Sequence, residues 1–288
     1  MSISHSLLKS IIYDQHEVIK NSNIIPRDYE FEVNANYVLT GLRRAGKSTL
    51  LYKIAKDLVA SGISWNQIIY INFEDERLSE FKVTDFNEIL SVQAELSDDK
   101  GYFFFDEIQN IDGWEKFARR MADSGERVYI TRSNAKMLSA DIEQRLGGRY
   151  FSKYISTYNF DEFLTASNIS HDVSDLSKTK AVGRIQGAFG DYFTFGGFPE
   201  SLLYSGKREY VSNVYQKILL GDIVARNKIR NADTLRIMVK KIAEAVCAPI
   251  SYTKIHSTVN SIGHKISKDT IIEYVGYVKT AFLLFDIK

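Results

Sequence analysis

The chain has 288 residues, 44% of them apolar, enough for a full α/β nucleotide-binding domain and a smaller second core. Its formal net charge is +1 and no apolar run approaches the ~18 residues of a membrane span, so composition announces neither a nucleic-acid nor a membrane partner. The one cysteine, Cys247, cannot form an internal disulfide, and Met1 to Ile12 lacks the continuous apolar core of a signal peptide, so a cytoplasmic protein is expected.

Taken in order, Leu7, Leu8, Ile11 and Ile12, with His16 and Val18, predict a leading helix closed by Asn21-Ser22-Asn23. Ile24 to Tyr29 follows, either as a linker packed on the sheet edge or as a segment passing near a nucleotide base. Asn36 to Thr40 reads as a short apolar strand. It enters Gly41-Leu42-Arg43-Arg44-Ala45-Gly46-Lys47-Ser48, whose order Gly, four residues, Gly-Lys-Ser is that of a phosphate-cradling loop. Backbone N–H groups of such a loop reach phosphate oxygens, Lys47 reaches the outer phosphates, and the Ser48 hydroxyl can ligate Mg²⁺. Thr49 and a helix carrying Leu50, Leu51, Ile54, Ala55, Leu58 and Val59 come next, so the positive end of the helix dipole faces the phosphates.

Ile68 to Phe73 is a second strand, and Glu74-Asp75-Glu76-Arg77 reads as the turn that closes it. Tyr102-Phe103-Phe104-Phe105 predicts a fully buried strand with Asp106 and Glu107 at its carboxyl end, where open α/β sheets place their ligands. Asp106 is the expected metal partner of Ser48, and Glu107 the base that takes a proton from attacking water. Asp112 is expected to cap a helix whose core face is Trp114, Phe117, Ala118 and Met121. After the strand Val128 to Thr131, Asn134 reads either as a residue orienting the lytic water or as a turn former. Arg149, entering the strand Tyr150 to Ile155, could reach a γ-phosphate, its own or a neighbour's.

Thr165 to Lys180 is polar and reads as a boundary. Ile185 to Phe195 and Tyr210 to Val224 read as helices split by Gly196-Gly197 and Pro199. From Arg226 onward the formal charge is +6, against −5 before it. In this tail Ser251 begins one helix (Ile255, Val259, Ile262), and Ser267 or Asp269 a second (Ile271, Ile272, Val275, Val278). Ala281 to Phe285 then reads as a strand. Two helices and a strand are expected to make a winged-helix-like unit whose second helix could enter a DNA groove. The chain stops soon after that apolar run, and the reading leaves room for truncation.

Together these pieces resemble the prokaryotic predicted AAA+ ATPases, in which a P-loop domain is joined to a C-terminal region of unknown function. The resemblance rests on the residues from Gly41 to Leu51, Ile71-Asn72-Phe73-Glu74-Asp75, Asp106-Glu107-Ile108-Gln109 with Trp114, and Thr131-Arg132-Ser133-Asn134. It continues through Leu146-Gly147-Gly148-Arg149-Tyr150, Phe160-Asp161-Glu162-Phe163-Leu164 and Gly196-Gly197-Phe198-Pro199-Glu200. The chain departs from the family pattern at Arg132, where such proteins usually carry Gly.

The expectation is an α/β P-loop fold: an AAA+-type parallel sheet with helices on both faces, then a smaller, mainly helical winged-helix-like domain. Its expected divisions are residues 1–35 (helix and linker), 36–165 (ATPase core), 166–225 (helical connector) and 226–288 (C-terminal domain). The expected nucleotide contacts are Gly41, Arg43, Arg44, Ala45, Gly46, Lys47, Ser48 and Thr49. Ser48 and Asp106 are the expected magnesium ligands, and Glu107, Asn134 and Arg149 the catalytic groups. ATP is favoured over GTP because Asn227-Lys228-Ile229-Arg230 lacks the aspartate of a guanine reader. Two functions stay open: a Mg²⁺-dependent ATP hydrolase, with a homo-oligomer among its partners, or an ATP-dependent switch or DNA-binding regulator with slow or no hydrolysis.

Overall fold

The computed structural model describes residues 3–133, 144–172, 174, 177–245 and 248–285. The apolar runs become five strands: β1 (Asn36–Thr40), β2 (Ile68–Asn72), β3 (Tyr102–Asp106), β4 (Arg127–Arg132) and β5 (Tyr150–Tyr154). They lie side by side in the order β2-β3-β4-β1-β5, every pairing parallel. Strands covered on both faces have no use for polar alternation, and β1 to β4 are buried nearly throughout.

Helices α1 (His5–Asn21), α2 (Lys47–Ala60), α3 (Phe86–Leu96) and α4 (Trp114–Asp123) supply the cover. Tyr37, Leu39, Tyr70, Phe104 and Tyr129 share one core with Leu50, Leu51, Ile54 and Ala55 of α2. Side chains alternate faces along a strand, so Phe105 points the other way. There it meets Phe86 of α3 and Phe117 of α4, whose rings stack at 4.2 Å. The expected apolar face of α4 is the buried one, but its N-cap is Gly113 in a left-handed conformation rather than Asp112. On α1, Leu8, Ile11, Ile12, His16 and Ile19 are buried, whereas Val18 faces solvent.

The chain divides into two compact units at Leu203 and Tyr204, inside the stretch expected as a connector. Helices α5 (Phe160–Ala166) and α6 (Thr179–Phe195), with the short 3-10 turn Pro199–Leu203, go with the sheet. The second unit is helical: α7 (Lys207–Gln216), a π-type continuation over Lys217–Ala225, then α8 (Ala232–Glu244), α9 (Tyr252–Ser261) and α10 (Lys268–Thr280). Ser251 and Ser267 cap α9 and α10 by accepting from the N–H groups of Lys254 and Thr270. Ile255, Val259, Ile271, Val275 and Val278 are buried as expected, while Ile262 and Ile272 are exposed.

Ala281 to Phe285 forms no strand. Phe282 takes a left-handed φ of 59° just past α10, and this turn buries Ala281 and Phe282 while leaving Phe285 outside. The winged-helix expectation therefore keeps its helices and, among the described residues, lacks its wing. The two lysines of α10, Lys268 and Lys279, are offset by Asp269 and Glu273, so the helix expected to enter a groove carries no net charge. Among the described residues no helix is long and apolar enough to cross a membrane.

Candidate functional site

Parallel strands place all their carboxyl ends on one edge, and that edge is where the chemistry-bearing residues gather. The phosphate loop leaves β1 and hands its last residues to α2, while Asp106 and Glu107 end β3, with β4 interposed between the two strands. Lys47, Ser48, Asp106 and Glu107 line one open cleft of about 280 Å³. The Lys47 ammonium is buried; it donates to the carbonyls of Gly41 at 3.2 Å and Leu42 at 3.0 Å and stands 4.0 Å from Glu107 Oε1.

Asp106 is held from three sides. The Thr131 hydroxyl donates to Oδ1, the Tyr70 phenol donates to Oδ2 at 2.8 Å, and Ser48 is hydrogen-bonded to the same carboxyl. Burial pushes this carboxyl above the usual carboxylate range, neighbouring Glu107 adds to the push, and the three hydroxyls pull the other way. Burial also drives the Tyr70 phenol well above its ordinary value, with Asp106 adding to the shift, so Tyr70 keeps the proton it donates to Asp106. Glu107 sits in the left-handed region at φ 51°, uncommon for a residue with a side chain, and its N–H donates to Thr131 Oγ1 at 2.9 Å. Its Oε2 accepts from Ser133 at 2.8 Å and from the Gln109 amide, which leaves Oε1 facing Lys47 and the cleft.

The rim is charged. Arg43 donates to Glu74 at 3.1 Å and Arg44 to Glu200 at 2.6 Å. Gly46, Thr49 and Pro199 line both this cleft and a smaller cavity behind the loop, whose further walls are Ile24, Ile25, Arg27, Leu50, Lys53 and Tyr158. The Gly-Gly-Phe-Pro-Glu segment reaches the site through backbone contact: Tyr158 N–H donates to the Gly197 carbonyl at 2.8 Å. A Cβ on Gly197 would overlap the Tyr158 carbonyl oxygen, so only glycine permits this approach.

Residues 33–164 match the family model described as an AAA domain, and residues 186–288 one described as a domain of unknown function. Residues 33–164 are an AAA domain. The chain is 34% identical over 286 residues to an uncharacterized protein of Methanocaldococcus jannaschii, covering 97% of this chain and 63% of that protein. An uncharacterized protein of Haemophilus influenzae is 31% identical over 255 residues, covering 87% of this chain and 62% of that protein. The chain thus spans less than two thirds of the length of these relatives. Among solved structures, AMPPCP-bound DnaA from Aquifex aeolicus aligns over 97% of this chain and 89% of that chain, at 15% identity and a TM-score of 0.34, too distant to carry an argument.

Within the AAA domain the structure brings together Arg43, Arg44, Gly46, Lys47, Ser48, Thr49, Asp106 and Glu107 as lining of one cleft. Asn134 lies outside the described residues. Arg149 does not reach its own site. Tyr150 pairs with Asn36 and Tyr154 with Thr40, so Arg149 precedes the amino end of β5, a strand length of roughly 17 Å from the phosphate edge. There it donates to Asp123 at 2.5 Å. Arg132, the departure from the family pattern, is buried with its guanidinium 5.5 Å over the Trp114 ring, and it is not part of the cleft lining. Glu74, read as a turn residue, lies on the cleft through its pair with Arg43. Sequence reasoning gave no role to Tyr70, Thr131 or Ser133, whose only signal was a polar group within or just past an otherwise apolar strand.

Proposed function

We propose that the AAA domain binds ATP with Mg²⁺ and hydrolyses it. The supporting observation is that Lys47 Nζ and Glu107 Oε1 stand 4.0 Å apart on one edge of the sheet, beside Ser48 and Asp106. The donor set fits magnesium: a hydroxyl and a carboxylate side by side, hard oxygens both. Bound there, magnesium would neutralise charge on the outer phosphates.

The chain's own residues do the rest in this reading. Amides of the phosphate loop and Lys47 hold the β- and γ-phosphates. Glu107, fixed through Oε2 by Ser133 and Gln109, presents Oε1 to the attacking water and takes its proton. Asn134 orients that water. Ile24, Ile25, Tyr158 and Pro199 form the apolar walls that would receive the adenine. Arg149 serves a neighbouring copy, because its own site is a strand length away. A cytoplasmic setting completes the proposal, supported by the single cysteine.

The test combines ATP binding with phosphate release. Lys47→Ala is expected to lose ATP affinity by at least tenfold. Glu107→Gln is expected to bind ATP like wild type and to lose roughly 10²–10⁴-fold in turnover, the usual worth of a general base. Turnover unchanged by Glu107→Gln would remove Glu107 as the base and with it this mechanism. Tight binding with turnover that is already slow in wild type would favour the switch reading instead.

A further inference from the structure

Arg27, on the segment between α1 and β1, donates to three places at once. Its Nε and Nη2 pair with Glu162 of α5 at 3.1 Å each, its Nη2 also reaches the carbonyls of Ser156 at 2.9 Å and Thr157 at 3.2 Å, and its Nη1 donates to the carbonyl of Ala45 at 3.0 Å. Tyr29 and Tyr158 sit against the guanidinium at 5.1 and 5.3 Å. Both charged partners are buried, the Arg27 side chain 5% exposed and that of Glu162 9%. Glu162 is fixed in turn, since Asn159 N–H donates to it and Asn159 caps the helix.

The contact with Ala45 is the one with chemical consequence. A peptide unit is planar and trans, so a carbonyl anchored on one side aims the following N–H to the other. Ala45 O is anchored by Arg27; the N–H of Gly46, which lines the phosphate cleft, is therefore turned away from Arg27. Gly46 is at φ 91°, and a glycine gives this peptide little resistance to flipping on its own. Flipped, the unit would present a carbonyl oxygen to a phosphate instead of an amide.

We infer that Arg27 is a positioning residue that sets the polarity of the phosphate loop, holding the Ala45–Gly46 peptide with its N–H available to a polyphosphate. The inference rests on the triphosphate reading of the cleft. It also accounts for the Phe160 to Leu164 motif, since Glu162 is the counter-charge that keeps Arg27 in place.

The test measures affinity of the full chain for ATP and for inorganic tripolyphosphate by calorimetry, with thermal unfolding alongside. Arg27→Lys keeps the charge beside Glu162 but cannot span Glu162 and Ala45 O together. It is expected to weaken tripolyphosphate, which has no base, roughly ten- to hundredfold, the worth of a charge-assisted hydrogen bond lost and a carbonyl gained, and ATP by at least as much, since Arg27 also lines the cavity proposed for the adenine. Glu162→Gln, which can still accept from Arg27, is expected to stay within about threefold of wild type on the same scale. A variant pairing Arg27→Met with Glu162→Gln removes both buried charges together; it should show the same loss of affinity with the fold intact. Wild-type affinity in Arg27→Lys or in the paired variant, while Lys47→Ala abolishes binding, overturns the role of Arg27. So does an equal loss in Arg27→Lys and Glu162→Gln, because the cluster would then be only a scaffold. Unchanged binding in Lys47→Ala would instead sink the triphosphate reading on which the inference rests.

Discussion

Asp106 shows what the site demands of a single residue. A wholly buried carboxyl costs stability when it ionises, and here burial first and Glu107 second hold its pKa above the unfolded value near 3.9. The sign follows from proton counts: between the unfolded and folded pKa values the folded state holds the extra proton, so stability falls as pH rises through that window and stays lower above it. Asp106→Asn is therefore expected to raise the melting temperature of the ligand-free protein at pH 8, by about 2–4 °C for each kcal/mol recovered. The gain should shrink at pH 5, and magnesium-dependent nucleotide binding should be lost. Melting curves of both proteins at the two pH values check this; a gap that does not change with pH would mean that the charge is not the cause. The acid pair itself was legible in the sequence, because a carboxylate at the end of an apolar strand is a local pattern. Arg27 was not, since Glu162, which gives it meaning, lies 135 positions away.

At the scale of elements, α1 is tied to the sheet by one polar contact in an apolar seam. His16 Nε2 lies 2.7 Å from the Ile68 carbonyl, between Tyr13 and Trp65, and burial lowers its pKa, with Lys20 acting in the same direction. The folded state thus prefers the neutral ring. Stability is full above the ordinary histidine value near 6.5 and is lost as pH falls through the window below it toward the folded pKa. His16→Gln, whose amide can still donate to Ile68 O, should flatten the pH dependence of the melting temperature between pH 7 and 5 relative to wild type. Parallel curves for the two proteins would assign that slope to other groups. Elements were legible where period and caps agree, as for α1, α2, α9 and α10. They were misread where an apolar run had no period: five apolar residues from Ala281 to Phe285 suit a strand as well as a turn that buries two of them, and only the left-handed Phe282 decides between the two.

For the whole molecule, the proposed hydrolysis raises the question of whether an arginine joins the site. Strand register excludes Arg149 from its own cleft, and Arg132 is committed to Trp114. Arg149 is half-buried at the amino end of β5, paired with Asp123, so the proposed role for it in hydrolysis requires a second copy of the chain. Hydrolysis per molecule should then rise with protein concentration, because a site is complete only in an assembly. Mixing supplies the sharper measurement. Glu107→Gln has a usable Arg149 and no base, and Arg149→Ala has a base and no arginine; each alone should be nearly inactive. Combined, an Arg149→Ala cleft can receive the arginine of a Glu107→Gln neighbour, so phosphate release should exceed the sum of the two separate proteins. A mixture no faster than that sum, with wild-type specific activity constant on dilution, would place the arginine requirement elsewhere and leave Arg149 as the partner of Asp123 alone.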